Sequence, residues 1–321
     1  MSYELHPGEK LGRALKRVNR TELRKGRQAM AGRKALAAGK VLPQSPLPSR
    51  AAKNAHVLRV ATKKVRAMAR LVEPVVGRKA RRADRAIGAC ADVVAPLRDA
   101  DAAVRTFGKL RAALPARMRR GTDVARAALT ERLRHEQQQA EDPRSLRKLT
   151  RALRREQQRV GGWTPDGDGW KSVGPGFALG YQRARRAMHR AYRKPTGETF
   201  HAWRRAVKAH RFQVRFASAW LPAELDARTD ALATLAEYLG DEHDLTMLRR
   251  TLRANRFWFG EEGETYYEVL RRIDQQRREK RVQAQPLGEQ LFAEPTGALL
   301  GRIREGFRAY RRTRSRSHAA A

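Results

Sequence analysis

Two sets of basic residues recur in one register. The first reads His56, Arg59, Lys63, Arg66 and Arg70; the second reads His201, Arg204, Lys208, Arg211 and Arg215. Each member of the second set lies 145 residues after its partner, as 201 follows 56. The same offset relates Arg98-Asp99 to His243-Asp244. Guanidinium forks can hold two oxygens of one phosphoryl group, ammonium groups add mobile point charges, and a protonated imidazole donates hydrogen bonds. Such a set is suited to an anion carrying many phosphoryl groups.

On a helix, offsets of 0, 3, 7, 10 and 14 fall within a sector of about 80°, so each set makes one stripe about 21 Å long. Leu58, Ala61, Thr62, Val65, Ala69 and Val72 mark a separate, core-facing side of the first stripe helix. Trp203, Ala206, Val207, Val214 and Ala217 do so in the second, with His210 as a core histidine among them. Val60, Ala67 and Leu71 make a further apolar side of the first, which Arg205 interrupts in the second. A basic face held between two apolar ones suits a helix lining a groove or channel. The bland alternative is a solvated charged face, common in a basic chain. Repetition at fixed spacing argues against it, because a chain built from two related halves keeps what both halves use.

The elements that must position these stripes are helices. Apolar residues recur at helical spacing through most of the chain, and little alternates at the strand period. Helices are predicted over 8–38, 52–73, 78–108, 110–140 and 142–160. Pro96 should kink or break the third, and Asp142-Pro143 should start the fifth. Pro43, Pro46 and Pro48 put a loop at 41–49. In the second half helices are expected over 177–193, 199–221, 223–239 and 243–256, with a longer one from about 261 that Pro286 and Pro295 divide. The fold expected is all-α, two antiparallel bundles from an internal repeat. A first half over 1–160 is followed by a linker rich in Gly, Pro and Trp at 161–176. The second half spans 177–310, and a basic tail at 311–321 reads as disordered.

The chain has 321 residues, 70 Lys and Arg against 33 Asp and Glu, and a formal net charge of +37. That charge speaks of partners rather than fold: nucleic acid, inorganic polyphosphate, an acidic protein or an anionic membrane surface. A lone cysteine, Cys90, excludes an intramolecular disulfide and a cysteine-rich zinc site, and reads as a small core residue. No apolar run suggests a signal peptide or a membrane span, so a cytoplasmic protein without membrane insertion is expected. Asp241, Glu242, His243 and Asp244 point in different directions on a helix and do not make a metal site; Asp99 and Asp244 are read as capping a helix or orienting nearby Arg side chains. No dinucleotide fingerprint, phosphate loop or nucleophile elbow occurs.

The stripes His-x-x-Arg-x-x-x-Lys-x-x-Arg, together with Arg98-Asp99 and Leu239-Gly240-Asp241-Glu242-His243-Asp244, resemble the CHAD family of histidine-containing α-helical domains. The strongest pieces are Ala55 to Arg66 and Phe200 to Lys208, and the likeness runs from the opening helix to about residue 310. The resemblance implies two four-helix bundles related by a pseudo-two-fold axis, with a central basic channel between them. It implies a module that binds inorganic polyphosphate. Some members are fused to a triphosphate-processing domain with a Glu-x-Glu-x-Lys motif; none occurs here. Two positions depart from the pattern: Pro96 replaces an expected glycine, and His243 stands where the first copy has Arg98.

The residues expected at the ligand are His56, Arg59, Lys63, Arg66, Arg70 and Arg98, and His201, Arg204, Arg205, Lys208, Arg211, Arg215 and His243. Arg20, Arg24, Arg186 and Arg190 are secondary candidates from neighbouring helices. His56 and His201 either donate to phosphate when protonated or orient the start of each helix. The function expected is non-catalytic polyphosphate binding with no cofactor or metal, with association with polyphosphate or storage granules as a further expectation. The alternative is a nucleic-acid or nucleoid-binding protein acting through phosphate contacts. The stripes hold no aromatic residues on which bases could stack, which weighs against base recognition.

Overall fold

Amphipathic repeats of this length can bury their apolar sides only against one another, and helix-on-helix packing follows. The computed structural model describes residues 3–6, 8–31, 49–260 and 263–319; among them every regular element is a helix. The expected proline loop over 41–48 and the end of the first predicted helix lie outside the described residues. The helices are α1 (Leu11–Met30), α2 (Arg50–Val76), α3 (Arg78–Asp92), α4 (Ala95–Ala112), α5 (Ala116–Arg120), α6 (Asp123–Ala140) and α7 (Pro143–Trp163). There follow α8 (Gly174–Arg193), α9 (Gly197–Phe216), α10 (Pro222–Ala254), α11 (Glu264–Phe292) and α12 (Thr296–Ala319).

The two stripe helices begin at strong caps. Ser49 accepts a hydrogen bond from the Ala52 backbone N–H at the start of α2. Thr196 and Thr199 form a capping box at the start of α9. Each such cap contributes about 1 kcal/mol and fixes where the helix begins, hence where His56 and His201 stand. α2 packs on α1, α3, α8 and α9, and α9 packs on α8, α10 and α2. The crossing of α8 over α2 requires Gly176: a Cβ there would lie 1.7 Å from the Leu71 carbonyl oxygen.

Prolines and glycines act as the sequence suggested in some places and not in others. The predicted 78–108 helix breaks at Val93-Val94, and Pro96 sits in the first turn of α4, where its missing N–H costs nothing. The turn expected around Leu239 to Asp244 does not exist; α10 runs unbroken through Gly240. A helical glycine costs about 1 kcal/mol. Nothing beside Gly240 requires the glycine: a Cβ would meet Arg204 Nε at 3.9 Å, an ordinary contact. Pro286 does not divide α11 either. The carbonyl it leaves without a donor belongs to Val282, which is exposed and open to water. Pro295 does separate α11 from α12, and α12 continues to Ala319 through the segment read as disordered. α7 likewise extends into the expected linker, whose Trp170 stacks on Phe177 at 6.2 Å and packs against Trp220 and Phe307.

The apolar interior falls into two cores. The larger takes Leu58, Val65, Leu71, Leu97, Ala100, Trp203, Val207 and Leu239 among many others. The smaller is built from Phe107, Leu110, Leu129, Leu245, Leu248, Tyr266 and Ile273. α4 and α10 run through both. They leave the larger core after Ala100 and Leu239 and enter the smaller at Phe107 and Leu245. The polar residues discussed next lie at that seam.

Candidate functional site

At the middle of its length the basic face of α2 meets that of α9, and α4 and α10 close over them. Arg59 and Lys63 come from α2, Arg204 and Lys208 from α9, and Arg98 from α4; each is a near charge on Lys63 or Lys208. Against these five cations stand Asp99 and Asp244. Arg98 ties the two carboxylates together, donating to Asp99 Oδ1 at 3.0 Å and to Asp244 Oδ1 at 2.9 Å. The aspartates therefore orient an arginine, as read from the sequence, and leave the other cations in excess.

The excess is desolvated. Burial, then repulsion from Arg59, Arg204 and Arg98, lowers the pKa of Lys63 to about 7. Lys208 is pushed well below the ordinary lysine range by burial and by Arg204 and Lys63. Arg204 is only 6% exposed, and its pKa falls to about 10 through burial and then Arg98. Among the described residues no carboxylate pairs with Arg204, and its Nε has no hydrogen-bond partner. Burying a cation without a partner is costly, and here several such cations stand together.

The histidines sit at the edge of this centre. His201 Nδ1 and His243 Nδ1 are 3.1 Å apart with ring centroids at 4.3 Å, so one ring must donate and the other accept. Burial and the surrounding arginines lower His201 to about 4 and His243 to about 3. Burial, then Lys63 and Arg59, also lowers His56. Next to the cations without an anion these rings are neutral near pH 7, and the pair holds one tautomer of each ring in place. His210, by contrast, is a core residue packed on Tyr181 and Phe292.

The remaining stripe residues diverge from the centre. Arg66 and Arg70 both donate to Asp84 of α3, at 2.7 and 3.1 Å. The guanidinium of Arg66 lies against Gly88, where a Cβ would stand 3.2 Å from Cζ. Arg211 lies near Arg215, Glu237 and Asp230, while Arg215 Nε donates to Glu4 at 3.4 Å. Arg205 is exposed, and so are Arg20, Arg24, Arg186 and Arg190. The physical reason is that crossing helices share a face over only part of their length. Sequence reasoning missed Glu4 on Arg215 and Asp84 under Arg66 and Arg70. It also missed Asp101, which neighbours His56 and receives Arg105 at 3.0 Å. None of these acids stands in a recognisable pattern. Cys90 is buried, and burial raises its thiol to about 11.

Among the described residues no helix is long and apolar enough to cross a membrane. The sequence model of the CHAD domain matches residues 10–253. A crystal structure of the CHAD domain from the plant Ricinus communis is similar over 96% of this chain and 94% of that one, at 17% identity and a TM-score of 0.49. No curated protein matches the chain.

Proposed function

Since the chain belongs to the CHAD domain family, we propose that the centre formed by α2, α4, α9 and α10 binds inorganic polyphosphate without catalysing its breakdown. The observation that carries this reading is the surplus of desolvated cations, above all Arg204, buried with no carboxylate partner among the described residues. A linear anion with a charge on every phosphoryl group would answer Arg59, Lys63, Arg98, Arg204 and Lys208 together. Arg98, held by two aspartates, is fixed in orientation before any ligand arrives, which lowers the entropic cost of binding.

Lys63 and Lys208 act as the central donors in this reading, and His201 with His243 lines the approach. The split of each stripe gives the divergent residues a different task. Arg66 and Arg70, and Arg211 and Arg215, would take over a chain that extends beyond the centre by exchanging an intramolecular carboxylate for a phosphate. Association with polyphosphate-rich granules would follow from such binding.

The test is a titration of long-chain polyphosphate, duplex DNA and single-stranded RNA at equal phosphate concentration and about 0.15 M salt, where distant surface charges are screened. A clear preference for polyphosphate is expected. Equal affinity for the three would overturn the reading in favour of generic phosphate-backbone binding.

A further inference from the structure

A second concentration of arginines lies away from the centre, between α2, α3, α8 and α9. They surround a cavity of about 390 Å³. Its walls carry Arg70, Arg81, Arg85, Arg183 and Arg205, with Glu73 and Asp84 as the acids and Ala202, Ala206 and Ala209 as a small-residue floor. None of Arg59, Lys63, Arg98, Arg204 or Lys208 lines it. Its volume falls in the range of about 300–1,000 Å³ typical of small-molecule sites.

The arginines here are arranged rather than merely abundant. Glu73 lies 3.6 Å from Arg81 and 3.7 Å from Arg183, so one carboxylate from α2 holds guanidinium groups of α3 and α8. Asp84 receives Arg70 at 3.1 Å. Arg85 and Arg205 have no carboxylate partner among the described residues. Five arginines thus line one half-open cavity with two carboxylates between them. Guanidinium forks gathered in this way suit the paired oxygens of phosphoryl groups better than a lone monovalent anion.

The other stripe supplies an internal comparison. In the register of the sequence repeat Arg70 corresponds to Arg215, and Arg215 is occupied: Glu4 receives its Nε at 3.4 Å. The neighbouring Tyr3 lies against Phe212 at 5.9 Å and under the Lys64 ammonium at 5.0 Å, and donates to the Lys64 carbonyl. Leu5 is buried behind it, and His6 is held through its carbonyl by the Tyr310 hydroxyl at 2.6 Å. Both arginines thus hold a carboxylate of the chain, Glu4 at Arg215 and Asp84 at Arg70; what sets Arg70 apart is the cavity it lines together with Arg81, Arg85, Arg183 and Arg205.

We propose that this cavity is a separate site for a compact anion with two or three linked phosphoryl groups, free or as part of a nucleotide. The site is built from residues other than the central cations, and shares only Arg70 with the path proposed above for a longer chain. It therefore stands or falls independently of polyphosphate binding at the centre.

The test is calorimetric titration of the full chain with inorganic tripolyphosphate, ADP and long-chain polyphosphate, in the wild type and in Arg85→Ser/Arg183→Ser. Both arginines are exposed, so the variant should fold, and thermal unfolding with circular dichroism checks that it does. The expected result is a loss of about tenfold or more in tripolyphosphate affinity, equivalent to about 1.4 kcal/mol. Long-chain affinity should change by less than about threefold, because the centre is intact. An unchanged tripolyphosphate affinity would overturn the proposal, as would equal losses for both inorganic ligands. ADP binding that falls in the same variant identifies the source as a nucleotide, and tripolyphosphate binding alone identifies it as inorganic. Lys63→Met/Lys208→Met serves as the control for the centre. If that variant kept its long-chain affinity, the polyphosphate reading would fail while the cavity result stood.

Discussion

Glu242 and His243 are neighbours on α10, yet they belong to two regions that treat charge in opposite ways. Glu242 is 1% exposed and receives Arg281 at 2.6 and 3.1 Å, Arg277 at 3.3 Å and the Thr246 hydroxyl at 3.2 Å. Arg277 continues to Asp274, which also receives Arg249, and Arg281 lies 4.3 Å from the Phe200 ring centroid and donates to the Pro195 carbonyl. In that network each cation has an anion or a carbonyl. One helical step round, His243 and Asp244 face the centre, where Arg204 has no carboxylate partner among the described residues and the lysines are pushed toward neutrality. The same residue types make a structural joint in one place and, in the other, a group of cations short of carboxylate partners among the described residues. The distinction lies in the local balance of charge, which neither the number of arginines nor the burial of any one of them reveals.

The comparison can be broken most directly at Glu242. Glu242→Gln removes the one acid paired with Arg281 among the described residues and should cost about 3 kcal/mol of stability, because cations are left without their counter-charge. Denaturant unfolding would measure this, and polyphosphate affinity per folded molecule should stay within about twofold. A variant as stable as the wild type would mean that the network is not a structural joint.

At the centre the signs should reverse. Lys63→Met/Lys208→Met removes desolvated charge, so resistance to denaturant at pH 6 should rise, while polyphosphate affinity should fall about 100-fold, equivalent to about 2.7 kcal/mol. Loss of both stability and affinity would show that the lysines are structural.

A smaller effect sharpens the contrast through pH. The pKa of Lys63 is lowered from 10.5 to about 7, so between those values the unfolded chain holds a proton that the folded chain lacks. Stability should therefore rise with pH above about 7. Polyphosphate favours the charged lysine, so its affinity should fall by several-fold between pH 7 and 9 at constant salt, with proton uptake on binding detectable from the buffer dependence of the calorimetric heat. The same profile in His201→Ala/His243→Ala would assign the titration to the lysines rather than to the imidazoles. The smallest effect expected is that of Gly88→Ala. It presses on the Arg66 guanidinium and should weaken long-chain binding by about twofold while leaving tripolyphosphate affinity unchanged.

Much of the fold was legible because helix formation is written locally. The residues assigned to the core side of the first stripe helix, Leu58, Ala61, Thr62, Val65, Ala69 and Val72, are all buried. The helix start at Asp142 follows from capping chemistry that needs only a few adjacent residues, whereas the caps Ser49 and Thr196 start the stripe helices two residues before the expected 52 and 199. The errors came where a local signal was overruled by its surroundings. Gly240 looked like a turn, yet it lies inside the unbroken α10 beside Arg204. Pro286 looked like a break and is tolerated because the carbonyl it abandons, that of Val282, belongs to an exposed residue.

The sequence by itself determined that two distant helices carry the same basic stripe, and that Arg59, Lys63, Arg204 and Lys208 occupy its middle. Periodicity and register are properties of order along the chain and survive without coordinates. Only the tertiary structure decided which part of each stripe faces the other and which part turns to Asp84, Asp230 or Glu4. Those carboxylates come from other helices and from the chain's beginning, at distances along the sequence that follow no period. Whether a buried cation is a joint or a binding group depends on them, and so that choice is made by packing.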